Sequence, residues 1–277
     1  MSPLSRWRTP AAGVVSGLLF ALAFPPFEWV LLAPLSLVPW VAALCREQSR
    51  GRALLSGFLF GLAHWCASIP WIIHVVTRFG AQGGVMGVVC LLLLAAILAE
   101  WPALAAWGTV AAAPAGSLGR LAVFPLLWMA AEHARSFVYG GFPWNLTAHA
   151  LYRHPVWLQT ASVWGVYGLG ALVAAASSLL AAAALRRRPA PLLWAAALSL
   201  AAGVFGALRL ARPESWSGPG REPFSVALLQ PNVSQEARLA GSDAANYRIV
   251  IEQARAAAGE KARLIVLPES ALPAYWD

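Results

Sequence analysis

The chain of 277 residues is 59% hydrophobic and only 12% charged, with a mean hydropathy of +0.63, whereas soluble domains run near a quarter charged. These values exclude an ordinary soluble protein and identify a multispanning membrane protein. The net charge of +8 does not mark a nucleic-acid partner. Residues 1–211 hold 13 Arg against 4 acids, while residues 212–277 hold 7 basic and 8 acidic residues, so the excess reports membrane topology.

Arg6 to Arg8 followed by the apolar run Ala11 to Phe24 imitates a signal peptide. Because six further apolar segments follow, it is read as a first anchor helix, ended by Pro25 and Pro26. A second segment runs from about Phe27 to Leu44, before a loop holding Arg46, Arg50 and Arg52. The third, about Ala53 to Val76, carries Gly57 and Gly61 one turn apart, small residues that let two helices approach closely. The fourth, about Val85 to Val110, contains Glu100 beside Trp101 and Pro102. An acid at membrane depth is a functional candidate, and one near a helix end instead reaches the interface; both readings stand.

The fifth segment, about Leu121 to Val138, includes Glu132, His133 and Arg135. Opposite charges three residues apart on a helix predict a structural ion pair between Glu132 and Arg135. The loop Tyr139 to Pro155 is rich in turn formers and aromatics, the composition of an interfacial loop. A sixth segment spans about Val156 to Leu185 and ends in Arg186 to Arg188; a seventh runs from about Pro191 to Leu210. Each approaches the length of about 20 residues that a hydrocarbon core demands. With the N-terminus inside, the inner ends gather Arg6, Arg8, Arg46, Arg50, Arg52, Arg120 and Arg186 to Arg188, and the outer loops keep Arg78 and Arg153, with Arg135 near a helix end. The positive-inside rule favours this orientation, which puts residues after about 211 on the outer face.

That last part changes character. Residues 212–223 are a Pro/Gly/Ser-rich linker. Phe224 to Leu229 predicts a strand, Asp243 caps a helix over Ala244 to Ala258, and Arg263 to Leu267 predicts a second strand. Strand, helix, strand is a βαβ unit, and it delivers Glu269 to the C-terminal end of its second strand, where open α/β sheets place their chemistry. Two strands and one helix do not bury a core of their own, so the segment 224–277 is expected to be completed by the membrane part, by a partner or by further chain.

Other chemistry finds little support. Cys45, Cys66 and Cys90 lie in or beside apolar spans and are odd in number, so they are read as buried, inert thiols. His64, His74, His133, His149 and His154 have no zinc-helix spacing, and no Gly-x-Ser-x-Gly elbow is present. No cofactor and no metal is called for.

Several stretches taken together carry a resemblance. They are Phe20-Ala-Leu-Ala-Phe-Pro-Pro26, the Gly57 to Gly61 region with Ile69-Pro70-Trp71, the loop Gly141-Phe142-Pro143-Trp144, then Leu229-Gln230-Pro231-Asn232 and Leu267-Pro268-Glu269-Ser270-Ala271. In this order the chain resembles the apolipoprotein N-acyltransferases, integral membrane members of the carbon-nitrogen hydrolase (nitrilase) superfamily. The resemblance implies an α-helical multispan domain of about seven transmembrane helices (1–211), then the start of a periplasmic nitrilase-like α/β sandwich (224–277), truncated here. It implies transfer of an acyl chain from a phospholipid, through a cysteine thioester, to the N-terminal diacylglyceryl-cysteine of a lipoprotein. Its partners would be the phospholipid donor, the diacylated apolipoprotein acceptor and membrane lipids, in the bacterial inner membrane, with the chain a monomer.

By resemblance Glu269 is the general base of a Glu, Lys, Cys triad, and Trp144 matches a position of substrate handling; an interfacial anchor is the other reading of that Trp. The pattern is departed from at the triad. The lone lysine, Lys261, precedes the strand, and the three cysteines lie in the membrane part. The chain is therefore expected to be an N-terminal portion, inactive by itself. After the Gln-x-Asn motif, Glu236-Ala237-Arg238-Leu239 stands where many relatives carry a Trp, so no lipid contact is assigned there. Two alternatives stay open: a multispan transporter using Glu100 and Glu132, and a membrane-anchored amidase of the nitrilase type.

Overall fold

A computed structural model of the chain describes residues 7–80, 82–212, 224–234, 236 and 243–269. The chain divides into two compact units, residues 1–213 and 214–277. The larger unit is helical: α1 Arg8–Ala21, α2 Leu32–Leu35, α3 Leu37–Arg46, α4 Arg50–Ser68, α5 Trp71–Arg78, α6 Gly84–Ala112, α7 Leu118–Arg135, α8 Pro155–Leu158, α9 Ala161–Arg186 and α10 Ala190–Ala211. Each expected apolar segment therefore contains helix.

Several segments are broken where the sequence contains breakers. The third is bent by 58° between α4 and α5, at Ile69 and Pro70, since proline brings no N–H to the ladder and disfavours helical backbone in the residue before it. The sixth starts as the short α8 and resumes as α9, inside which Gly165 takes φ 66°. Among the described residues three helices, α6, α9 and α10, are long and apolar enough to cross a membrane, or four if the bent pair α4–α5 is one span. A helical membrane unit is thus present, and seven crossings is a finer statement than length and apolarity carry. Glu100 does not lie near a helix end: it sits in the middle of the 29-residue α6, exposed, lining an apolar surface groove between α4 and α6.

Close packing of α4 on α6 rests on the two glycines singled out by their spacing. A Cβ on Gly57 would meet Pro102 O at 2.3 Å, and one on Gly61 would meet Ala99 Cα at 2.5 Å. No side chain larger than hydrogen fits either place without moving a helix. The core that forms around this contact is aromatic. Trp40 stacks on Phe60 with centroids 4.5 Å apart, and Phe20, Phe124 and Trp128 close around them edge-on or tilted, geometries that suit the ring quadrupoles. The Trp40 indole N–H donates to Ser56 Oγ at 3.0 Å, so this buried donor is satisfied.

Arg120, 4% exposed, is not a loose cytoplasmic charge. It donates from Nε to Ala113 O at 2.8 Å, and through its terminal nitrogens to the carbonyls of Leu44 (2.9 Å), Cys45 (3.3 Å), Glu47 and Val110 (3.2 Å). These carbonyls lie at the C-terminal ends of α3 and α6, which carry the negative end of the helix dipole. Of the three free thiols Cys45 is buried, but Cys66 and Cys90 are half-buried, because both lie on partly exposed faces of their helices rather than within the aromatic core.

The smaller unit contains β1 Val226–Leu228, α11 Asp243–Gly259 and β2 Leu264–Val266. The strands are parallel, with Val226 opposite Leu264 and Leu228 opposite Val266. This is the strand, helix, strand order expected, with shorter strands. Val226, Leu228, Leu264 and Val266, which share one face, stay 41–76% exposed, so that face of the two-stranded sheet is uncovered, while Ala227 and Ile265 on the other face are half-buried. Residues 213–223, with nearly all of the proposed linker, lie outside the described residues, as do Ala237 to Leu239 and Ser270 onward.

Candidate functional site

The last turn of α7 and the loop after it form a densely bonded polar region of the helical unit. Glu132 and Arg135 are each 5% exposed. The ion pair expected between them is absent: no nitrogen of Arg135 comes within 4 Å of a Glu132 carboxylate oxygen, and each side chain is engaged by the loop instead. Glu132 Oε1 accepts from Thr147 N at 2.7 Å and Thr147 Oγ1 at 2.8 Å, and Thr147 Oγ1 in turn accepts from the Trp128 indole at 2.8 Å. Arg135 donates to Phe142 O at 2.6 Å and Trp144 O at 2.8 Å, and its guanidinium lies 4.8 Å from the centroid of the Trp65 ring. A planar cation over an aromatic face, with backbone carbonyls as acceptors, suits Arg and not Lys.

The loop can meet these two side chains because its backbone turns repeatedly into the left-handed region, at Tyr139 (φ 56°), Gly140 (84°), Gly141 (80°) and Asn145 (44°). At Gly141 a Cβ would also meet Ser136 O at 2.3 Å, so the glycine is required twice. Trp144 is held at its backbone by Arg135 while its ring is half-exposed, 5.6 Å from the Trp71 ring and 6.3 Å from Phe142. A large aromatic ring presented on a fixed backbone suits contact with an apolar ligand at low cost in conformational entropy. Nearby, Tyr152 OH donates to Glu28, and Arg153 pairs with Glu28 at 2.9 Å and donates to Tyr152 OH at 2.8 Å.

Glu269 lies in the smaller unit, in the turn after β2, and is exposed. Its backbone position at the carboxyl end of a parallel strand is the one expected; the enclosed setting that suits a general base is not supplied by the described residues. Lys261, in left-handed backbone with φ 59°, stands at the opposite end of β2, and its carbonyl accepts from Ser225 Oγ at 3.0 Å. The two candidate residues, Trp144 and Glu269, thus belong to separate units.

Sequence reasoning missed His64 and Thr147. His64 is 3% exposed in α4, with Phe20, Phe60 and Trp65 rings around it. A signal for Thr147 was present in the cluster Asn145-Leu146-Thr147 after Trp144, where short polar side chains bond to nearby groups; nothing in the spacing pointed from it to Glu132.

Comparison with known proteins adds a second kind of observation. Residues 16–179 match the family model described as the apolipoprotein N-acyltransferase N-terminal domain, a stretch that includes Glu132, Arg135 and Trp144. The chain is 34% identical to the apolipoprotein N-acyltransferase of Geobacter metallireducens, over 95% of this chain and 51% of that protein. It is 32% identical to that of Methylococcus capsulatus, over 95% and 51%, and 35% identical to that of Ralstonia nicotianae, over 98% and 51%. The chain spans about half the length of the curated relatives it matches.

Proposed function

The chain belongs to the apolipoprotein N-acyltransferase family, and on that premise we propose that it forms the membrane half, and the first strands of the catalytic half, of a lipoprotein N-acyltransferase. The observation that carries this is the family match over residues 16–179 followed by a parallel strand, helix, strand unit with an acid just after its second strand. The reaction proposed for the whole protein has two acyl transfers. A cysteine thiolate attacks an ester carbonyl of a phospholipid; the C–O bond breaks, and a lysophospholipid leaves with a proton. The thioester is then attacked by the α-amino group of a diacylglyceryl-cysteine, forming an amide and returning the thiol.

In this reading Glu269 takes the thiol proton first and the amine proton later. Neither Lys261, at the far end of β2, nor Cys45, Cys66 or Cys90, in the membrane unit, matches the triad positions that the resemblance implies. The activity is therefore proposed for a longer protein, and the 277 residues alone are proposed to be inactive. Further chain would cover the exposed apolar strands and enclose Glu269. The helical unit would cross the bacterial inner membrane seven times, leaving the smaller unit periplasmic, where both lipid substrates arrive by lateral diffusion. Trp144 would contact an acyl chain or the lipopeptide.

The test is an assay of the longest natural protein carrying this sequence, in nanodiscs with phospholipid and a diacylated lipopeptide. Triacylated product detected by mass spectrometry, lost in Glu269→Gln, is the expected outcome; a Glu269→Gln protein that acylates at the wild-type rate overturns the assignment. Triacylated product from the 277 residues alone overturns their proposed inactivity.

A further inference from the structure

Beneath the aromatic loop, inside the helical unit, lies a cavity of about 30 Å³ lined by His64, Glu132, Arg135 and Asn145 and by the rings of Trp65 and Trp128, among others. Two buried polar atoms of its lining residues, Glu132 Oε2 and His64 Nε2, have no hydrogen-bond partner. The rest of each side chain is engaged: Glu132 Oε1 with Thr147, and His64 Nδ1 with Ser68 Oγ at 3.4 Å. What remains is an acceptor oxygen on α7, 2.8 Å from where a Cβ on Gly170 of α9 would lie, and a ring nitrogen on α4, both on side chains that line this space.

Apolar cavities stay dry, whereas a polar one holds water if it offers roughly 10–15 Å³ per molecule and two to four polar partners. This cavity has room for two to three waters by that measure, and Glu132, His64, Arg135 and Asn145 all border it. Among the described residues no three His, Cys, Asp or Glu side chains converge as metal ligands, and the guanidinium of Arg135 at the wall opposes a cation. We propose that the cavity is a built water site: one or two water molecules donate to Glu132 Oε2, complete the bonding of His64 Nε2, and so tie α4 to the end of α7 and to the loop that carries Trp144. This site does not depend on the acyl-transfer reading.

X-ray hydroxyl-radical footprinting of the protein in nanodiscs tests it, because radicals arise where water is bound and oxidise adjacent rings however deeply they are buried. Trp65 and Trp128, 3% and 5% exposed, border the cavity; Trp40, 0% exposed, sits in the adjoining aromatic core. The expected result is oxidation of Trp65 and Trp128 at least fivefold faster than of Trp40, with delayed incorporation of ¹⁸O from labelled bulk water. In His64→Leu, which removes one partner and fills space, the Trp128 rate falls toward that of Trp40; in Glu132→Gln, whose amide still bonds to water, it holds. Equal rates for the three tryptophans in the wild-type protein overturn the proposal whether or not the variants fold. A folded His64→Leu protein that keeps the Trp128 rate overturns it as well.

Discussion

Glu47, in the turn between α3 and α4, provides a quantitative test of how this unit is held at one end. Its Oε1 accepts from Gln48 N and Ser49 N, both at 2.9 Å, and from Arg52 Nε at 3.0 Å and Nη2 at 2.6 Å, while Oε2 accepts from Thr9 Oγ1 at 2.7 Å on α1. Burial by itself would raise the carboxyl pKa; the Arg52 guanidinium, the two backbone N–H groups and the Thr9 hydroxyl outweigh it and hold the pKa at about 2, against an ordinary 4.5. A difference of that size corresponds to about 3 kcal/mol of folding stability at neutral pH. Because the folded pKa is the lower one, the unfolded chain binds the extra proton. The contribution is complete above about pH 4.5, more than half gone at pH 3, and lost as pH falls through about 2. Glu47→Gln keeps the size and removes the charge. In SDS titrations from mixed micelles the variant is expected to lose about 3 kcal/mol at pH 7, with the gap to wild type closing between pH 4.5 and 2. A gap below about 0.5 kcal/mol at pH 7, or one that stays constant down to pH 3, refutes the reasoning.

Three further substitutions address packing and the loop. Arg135→Met removes two charge-assisted bonds to the carbonyls of Phe142 and Trp144 and is expected to cost about 3 kcal/mol; limited proteolysis should then cut within residues 138–146, and an uncut loop contradicts the anchoring role. Gly57→Leu places a side chain where Pro102 O lies 2.3 Å from the Cβ position and should destabilise by about 3 kcal/mol, read as a fall in Tm; a wild-type Tm would show that α4 and α6 separate freely. Trp144→Ala, at a half-exposed ring, should leave Tm within a degree or two of wild type while raising KM for lipopeptide in the longer protein, and an unchanged KM removes Trp144 from substrate handling.

Much of the helical unit was legible because apolar run length is a direct consequence of the solvent, and every run long enough to matter contains helix. The breaks at Pro70 and at Gly165 were harder to place, since proline and glycine permit a kink without dictating one. The Gly57 and Gly61 contact was legible for the opposite reason: only close approach of another helix gives two small residues one turn apart a role. The fate of Glu132 and Arg135 was not legible. Spacing of three along a helix predicts that charges meet each other, but a loop whose carbonyls and Thr147 hydroxyl fold back over the helix end offers better partners than a side chain on the same surface. In the smaller unit the order strand, helix, strand was readable from periodicity and capping, whereas the setting of Glu269 was not, because a strand-end acid takes its environment from elements far away in sequence.

The partnering of buried charge also explains why α7 escapes a criterion of length and apolarity. It carries Arg120 near its start and Glu132 and Arg135 at its end, three charged side chains of which none is more than 5% exposed. Lipid would penalise each of them, yet none faces lipid. Its buried positions, Leu121, Phe124, Trp128, Glu132 and Arg135, recur every three or four residues, so the charges lie on the same inward stripe as the aromatic core. Arg120 binds the carbonyl ends of α3 and α6, and about 23 Å along the helix, at 1.5 Å per residue, Arg135 binds the carbonyls of the aromatic loop. The helix thus links the two ends of the unit through groups that hydropathy counts against it. Charges satisfied inside a bundle contribute nothing to its lipid-facing surface, and a helix of this kind has to be judged by which of its faces is exposed rather than by its composition.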